Sequence, residues 1–146
     1  MAHFLFNFSE GGREQAAALL DARMWGISRD ELHRDALAPG DVVLIFVAKP
    51  EDAFIGRAEL ATGFHEWTRS EADADPGDPS TGVLLSDVER WERAVSMETV
   101  VQRIDPEGAS PLVQTNAALG FPRALVRIDP DEYEAVLALS RETRGT

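Results

Sequence analysis

The sequence predicts an α+β domain in which about six strands form a strongly curved, barrel-like sheet flanked by helices. Three observations support this prediction. Short β-prone segments recur along the chain, and residues 42–47 are the most apolar of them. The helical patterns between them do not alternate strictly with the strands, so a doubly wound parallel sheet is not expected. No repeat or linker interrupts the 146 residues, and we therefore treat residues 1–146 as a single domain.

The first third of the chain predicts two strands and an amphipathic helix. Residues 3–8 are β-prone and end at Ser9, a residue type that favours the N-cap of a helix. Apolar residues at helical spacing then predict a helix over residues 10–24. Pro-Gly-Asp at 39–41 predicts a turn, because proline presets φ and glycine tolerates a positive φ. That turn introduces the apolar strand at residues 42–47.

The middle of the chain predicts a short helix, two strands and a loop. Residues 28–36 are polar and predict the helix, and residues 54–60 predict the first strand. Gly56 within that strand predicts a bulge, a barrel corner or a close backbone approach. Residues 67–82 are rich in Asp, Pro, Gly and Ser and predict one exposed loop. Residues 83–95 predict a long, irregular strand.

The C-terminal part ends in the helix with the clearest start signal. Residues 97–104 have helical spacing, residues 105–108 predict a turn, and residues 124–128 predict the last strand. Asp129 is the predicted N-cap of the final helix, and Pro130 suits its first position. The predicted buried stripe of this helix is Tyr133, Val136 and Leu137.

Composition excludes several classes of function. The absence of cysteine excludes disulfides, thiolate nucleophiles and sulfur-ligated metals. The three histidines, His3, His33 and His65, lack metal-ligand spacing, and neither a phosphate loop nor a Gly-x-Ser-x-Gly elbow occurs. We therefore predict no catalytic residue set, no metal and no cofactor. The longest apolar run, residues 42–48, is too short for a bilayer, and no export signal is visible, so we expect a cytoplasmic protein without membrane contact.

The charge balance bears on the partner. A formal net charge of −12 repels nucleic acid at long range. The positive charge is almost entirely arginine, with Lys49 the single lysine. Arginine suits bidentate contacts to phosphate or carboxylate, although a GC-rich genome explains the same bias.

Four segments, read in order, form a further pattern. The first strand is followed, after a helix, by Met-Trp-Gly-Ile at residues 24–27, and then come the turn and strand at 37–46. Residues 54–60 contain Gly-x-Ala-Glu, and the segment at 111–116 precedes the closing strand and helix. In order and spacing this pattern resembles an EVE domain, a member of the PUA-like superfamily that also contains the YTH readers of methylated adenine.

The resemblance implies a non-catalytic domain with a pocket on one side of its curved sheet, in which a flipped base lies between aromatic side chains. The tryptophan after the first helix forms one wall in EVE and YTH domains, and Trp25 matches it; the alternative is that Trp25 fills the barrel end as a core residue. Gly26 and Ile27 would offer backbone groups to the edge of the base. Asn7, where YTH readers have a basic residue, and Ser9 would add polar side chains.

The second wall and the partner stay open. Phe64 and Trp67 are the candidates for that wall, and no motif separates them. The predicted partner is DNA or RNA that carries a modified base. The alternative is a free nucleobase or nucleotide-like planar ligand bound without polymer contact. An enzyme of the neighbouring ASCH branch is a third class, but the Gly-x-Lys-x-x-x-Glu-x-Arg signature of that branch is absent.

Overall fold

A computed structural model describes residues 1–9, 12–31, 33–48, 51–74, 81–104 and 125–144. Within these residues the elements follow one another as β1 (His3–Phe8), α1 (Arg13–Ala22), β2 (Met24–Gly26), a 3₁₀ turn (Arg34–Ala36), β3 (Val42–Val47), β4 (Ala53–Leu60), β5 (His65–Glu66), α2 (Arg69–Ala74), β6 (Thr81–Ser96), α3 (Met97–Ile104), β7 (Leu125–Arg127) and α4 (Pro130–Arg144). None of the helices in these ranges is both long and apolar enough to cross a membrane.

The strands form one mixed sheet that curls into a half-barrel. The strand order is β2-β6-β4-β3-β1-β7, and the two-residue strand β5 pairs with β6 beside this path. β1 runs parallel to β3, whereas the other pairs are antiparallel. The predicted α+β fold with a curved sheet of about six strands is thereby confirmed.

The long strand β6 bends because it carries bulges. Its pairing with β4 shifts register twice, so that β6 contains residues without a partner in β4. One bulge contains Asp87, whose φ of 50° is in the left-handed region that few non-glycine residues adopt. The other lies at Gly56, where an added Cβ would collide with the backbone oxygen of Glu89. Gly56 therefore lies at both a bulge and a close backbone approach, two of the three alternatives that its position predicts.

Apolar clusters cover both faces of the sheet, because successive strand residues point to opposite faces. We call them the α1 cluster and the α4 cluster after the helices that pack on them. The α1 cluster contains buried residues of α1 and the sheet, among them Phe4, Phe6, Leu20, Trp25, Val43, Ile45 and Val83. The α4 cluster contains buried residues of the opposite face together with α3 and α4, among them Leu5, Leu44, Phe46, Trp91, Val100, Tyr133 and Val136.

The final helix is as the sequence predicts. α4 begins at Pro130, and the backbone N–H of Asp129 donates to Oε1 of Glu132 at 3.1 Å, which is one half of a capping box. Tyr133 and its partners in the predicted stripe, Val136 and Leu137, are buried. The helix at 97–104, the long strand before it and the last strand are also confirmed, whereas the predicted turn at 105–108 and the matched segment at 111–116 lie outside the described residues.

The predicted start of α1 at Ser9 is wrong. The helix begins at Arg13, and Gly12 is its N-cap, with its backbone N–H donating to Oε1 of Gln15 at 2.9 Å. Gln15 supplies the hydrogen bond that satisfies the helix end, so no serine side chain is needed there. The predicted helix at 28–36 is limited, within its described part, to the 3₁₀ turn, because His33 has a φ of 68° that interrupts helical geometry.

The single exposed loop predicted at 67–82 is also wrong. Thr68 and Glu71 form a capping box, with Thr68 N to Glu71 Oε1 at 2.8 Å and Glu71 N to Thr68 Oγ1 at 3.2 Å, and this box starts α2. At the other end of the segment, Thr81 and Gly82 are buried and already belong to β6. Residues 75–80 lie outside the described part.

Candidate functional site

Trp25 is held in a cluster of three aromatic rings. Its ring stacks on Phe6 with centroids 5.7 Å apart and an interplanar angle of 23°, and it meets Phe8 edge-on at 5.8 Å. Phe6 and Phe8 point to the same face of β1, so together they hold the indole against the end of that strand. Trp25 is 3% exposed, whereas Phe8 is only half-buried. The ring trio (Phe6, Phe8 and Trp25) therefore has Phe8 on its outer side.

The backbone of Gly26 and Ile27 takes part in the pairing of the sheet. Gly26 of β2 lies opposite Gly82 of β6. The N–H of Ile27 donates to the carbonyl oxygen of Thr81 at 3.0 Å, and the carbonyl oxygen of Ile27 accepts from the hydroxyl of Thr81 at 2.6 Å. A ligand that used the N–H of Ile27 would have to displace Thr81.

Asn7 and Ser9 lie on different sides of the ring trio. Strand alternation places Asn7 on the face of β1 opposite to Phe6 and Phe8, level with the buried Phe46 of the α4 cluster. The side chain of Asn7 is buried there, and the structure does not bring it to the Trp25 ring. Ser9 is exposed and directly follows Phe8, at the outer side of the trio.

The structure separates the two candidates for the second wall. The ring of Trp67 covers Gly82, since a Cβ added there would lie 2.7 Å from two carbons of the indole. Gly82 and Val83 point to opposite faces of β6, and Val83 belongs with Trp25 to the α1 cluster. Trp67 therefore lies across β6 from Trp25. Phe64 packs at the margin of the α1 cluster, so it is the candidate that shares a face with Trp25.

Sequence reasoning missed the interactions that fix the segment around β5. Nε2 of His65 lies 3.1 Å from the carboxylate of Glu71, and Nδ1 lies 3.0 Å from the carbonyl oxygen of Gly63. The backbone N–H of Thr68 lowers the pKa of Glu71, with His65 adding to the effect against the opposing influence of burial. The His65 ring meets Trp67 edge-on at 5.4 Å. The detectable signal was the pattern Thr-x-x-Glu at 68–71, which is that of a capping box.

The segment after Ile27 and the segment that carries Phe64 and Trp67 are rich in charged residues, most of them acidic. Nη1 of Arg29 lies 2.6 Å from Oε1 of Glu66, with side chains 58% and 72% exposed. The guanidinium carbon of Arg34 lies 5.9 Å from the centre of the Phe64 ring, which is within cation–π range. Residues 28–36 and 63–74 carry three arginines, Arg29, Arg34 and Arg69, and six carboxylates, Asp30, Glu31, Asp35, Glu66, Glu71 and Asp73.

A concavity lies between α1 and β6, away from every predicted site residue. It is a shallow groove of about 290 Å³ lined by Arg13, Glu14, Ala17, Ala18, Asp21 and Arg90. Its two guanidinium groups already have protein partners: Arg13 donates to the carbonyl oxygens of Trp91 and Glu92, and Arg90 pairs with Asp21 at 2.7 Å. Across the described ranges, no three His, Asp or Glu side chains are grouped to hold a metal ion.

The curled mixed sheet with helices on both faces is a PUA-like α+β fold, which confirms the fold that the resemblance implies. No protein-family model matches the chain, and no curated protein matches it in sequence.

Solved structures with this fold cover almost the whole chain. Human THYN1, solved in complex with DNA containing 5-methylcytosine, is 14% identical over 96% of this chain and 98% of its own, with a TM-score of 0.63. A structural-genomics protein from Pseudomonas putida is 16% identical over 95% and 99% of the two chains, with a TM-score of 0.67. The ASCH protein of Zymomonas mobilis is 15% identical over 94% and 95%, with a TM-score of 0.59. The TM-scores and the coverage establish a shared fold.

Proposed function

We propose that the chain is a non-catalytic domain that binds a modified nucleobase of a nucleic acid, with the base stacked on Trp25. The observation that carries this proposal is the ring trio at the end of β1 and β2. The proposal is supported by human THYN1, which shares this fold and was solved in complex with DNA containing 5-methylcytosine. An aromatic face stacks on any base, and a base that is already unpaired, mismatched or damaged is the easiest to extrude from a duplex.

Binding requires an opening in the trio, because Trp25 is 3% exposed. Phe8 is half-buried and meets the indole only edge-on, so rotation of its ring gives a base access to Trp25 with the smallest loss of packing. Ser9 next to Phe8 and Phe64 at the margin of the α1 cluster are the further contacts that we propose. Ligand contacts by Gly26, Ile27, Asn7 and Trp67 stay predictions, to be tested by binding measurements.

The charge of the protein shapes the expected affinity. With a net charge of −12 and carboxylates in excess around Phe64, the domain neutralises few phosphates. Few phosphate contacts release few counterions, so the log–log salt dependence should have a shallow slope of about −1 to −3. Most of the affinity then comes from the pocket, which favours discrimination between modified and unmodified bases.

The same excess of carboxylates favours one alternative, a free nucleobase, nucleoside or similar planar ligand bound without the polymer. In that case the domain would show measurable affinity for the nucleoside and none for an oligonucleotide of any sequence.

Fluorescence anisotropy with labelled oligonucleotides decides between these functions. The probes are oligonucleotides with 5-methylcytosine and the same sequences with cytosine, single-stranded and duplex, at two salt concentrations, together with the free nucleosides. We expect tighter binding of the modified oligonucleotides and a shallow salt slope. A steep slope without preference for the modified base refutes the proposal, and binding of nucleosides alone establishes the alternative.

A further inference from the structure

The ion pair Arg29–Glu66 joins the two segments that carry the predicted aromatic residues. Arg29 follows β2 two residues after Ile27, and Glu66 of β5 directly precedes Trp67. Both segments flank Thr81: Ile27 exchanges backbone and hydroxyl hydrogen bonds with it, and Glu66 is its cross-strand partner. The pair therefore spans the first residue of β6, beside the proposed base site.

The Arg29 guanidinium retains capacity for a further ligand. A guanidinium has five N–H donors, and within the described residues a single contact, from Nη1 to Oε1 of Glu66, engages Arg29. Both side chains are more than half exposed, at 58% and 72%. Exposed ion pairs of this kind contribute little to stability, so the exchange of one anion for another meets little resistance.

We propose that Arg29 contacts a phosphate of the nucleic-acid backbone next to the bound base, and that Glu66 masks Arg29 in the free protein. This inference rests on the proposed function and adds to it a backbone contact that is masked in the free protein. A phosphate oxygen takes the place of the Glu66 carboxylate on the planar guanidinium fork, which suits phosphate geometry. Every bound polymer must compete with Glu66 for this guanidinium, and polymer without a base in the pocket has no stacking contact to offset that cost, so non-specific binding stays weak.

The size of the effect follows from Coulomb's law at a solvent-exposed site. Removing one negative charge about 6 Å from a phosphate changes the affinity about threefold in low salt, and less as screening increases. Loss of one phosphate contact also lowers the log–log salt slope by about 0.7 for a single strand. We therefore expect Glu66→Gln to tighten oligonucleotide binding about threefold, and Arg29→Gln to weaken it about threefold with a shallower slope.

A remote ion pair provides a matched control for net charge. Arg103 of α3 and Glu142 of α4 lie 2.7 Å apart, with both side chains 54% exposed. Glu142→Gln changes the net charge of the protein by the same amount as Glu66→Gln, but away from every predicted site residue. Its effect on oligonucleotide affinity should stay well below threefold.

The experiment titrates the unsubstituted protein and the variants R29Q, E66Q, R29Q/E66Q, R103Q and E142Q with a single-stranded 5-methylcytosine oligonucleotide at two salt concentrations. Free 5-methylcytidine is titrated in parallel, and thermal melting checks that each variant folds. The inference is supported if E66Q tightens oligonucleotide binding more than E142Q does, if R29Q/E66Q loses this gain, and if nucleoside affinity is unchanged.

Two results overturn the inference alone: equal effects of E66Q and E142Q, or a change in nucleoside affinity in E66Q, which would mean that Glu66 acts through the pocket. If the unsubstituted protein binds no oligonucleotide, the proposed function itself is refuted, and the backbone contact is refuted with it.

Discussion

Truncation of Trp25 tests the stacking role against a packing role. The resemblance to readers predicts that Trp25→Ala abolishes binding and leaves folding largely intact. The structure changes the second part of this expectation, because Trp25 is 3% exposed and packs on Phe6 and Phe8. A substitution at this position must lower stability whether or not the ring also holds a base.

Trp91 supplies the control for that loss of stability. It is 2% exposed, belongs to the α4 cluster on the other face of the sheet, and donates its indole N–H to Glu89 at 2.9 Å. Truncating either tryptophan should lower the free energy of unfolding by about 3–5 kcal/mol, since both lose a fully packed ring. A domain of this size has a total of about 5–15 kcal/mol, so both variants should keep a folded population at low temperature.

Only Trp25→Ala should then lose a stacking contact, worth about 1–3 kcal/mol, or about 5- to 150-fold in affinity. Urea denaturation gives the folded fraction of each variant, and anisotropy titrations with the 5-methylcytosine oligonucleotide are run where that fraction exceeds nine-tenths. Equal loss of affinity in Trp25→Ala and Trp91→Ala would refute the stacking role, because a lost core ring on the other face of the sheet would then weaken binding as much as the loss of the Trp25 ring.

Three further predictions follow from single contacts. The Thr68 N–H is the largest influence on the pKa of Glu71, and it lowers that pKa. The contribution of Glu71 to stability is therefore present above the unfolded pKa of about 4.5 and is lost as the pH falls through the lower folded value. Between pH 6 and pH 3, the Tm of the unsubstituted protein should fall more than the Tm of Glu71→Gln. Burial raises the pKa of Tyr133, the single tyrosine, above 10, so phenolate absorbance should appear at higher pH in the folded protein than in urea, and an identical titration in both would contradict this. Gly82→Ala should lower the free energy of unfolding by about 1–3 kcal/mol, because the new Cβ would collide with the backbone oxygen of Trp25 and the indole ring of Trp67. Gly12→Ala is the control: its Cβ would have one contact, at 3.4 Å, so the free energy of unfolding from urea denaturation should change by less than about 1 kcal/mol.

The elements that the sequence predicts correctly have their signals within one segment. β3 is buried on both faces, and its continuous apolar run at 42–47 reads directly as a central strand. α4 has its cap and first-turn proline next to each other, which sets its start without reference to the rest of the chain. The sequence could likewise have separated Asn7 from Phe6 and Phe8, because alternation in a strand already assigns them to opposite faces.

The features that escape prediction depend on residues far apart in the chain. α2 is an exception, because it has no apolar stripe but begins at a capping box of Thr68 and Glu71 that lies within one segment and is visible in the sequence. The position of Trp67 depends on Gly82, which no local pattern links to it. Whether Trp25 is core or pocket depends equally on the pairing of β2 with β6, so composition and motif could only leave both alternatives open.

The sheet order also has a consequence for how the protein reaches its native state. Thr81 and Ile27, which join β6 to the end of β2, are separated by 54 residues, and the parallel pair of β1 and β3 closes around α1 and β2. Such distant pairings must close long loops before any contact compensates for the lost chain entropy, so we expect refolding on the millisecond-to-second scale. During synthesis on the ribosome, β2 leaves the exit tunnel before β6, so its edge stays unpaired until β6 has been made. The surface around Trp25 therefore forms only after β6 has been synthesised.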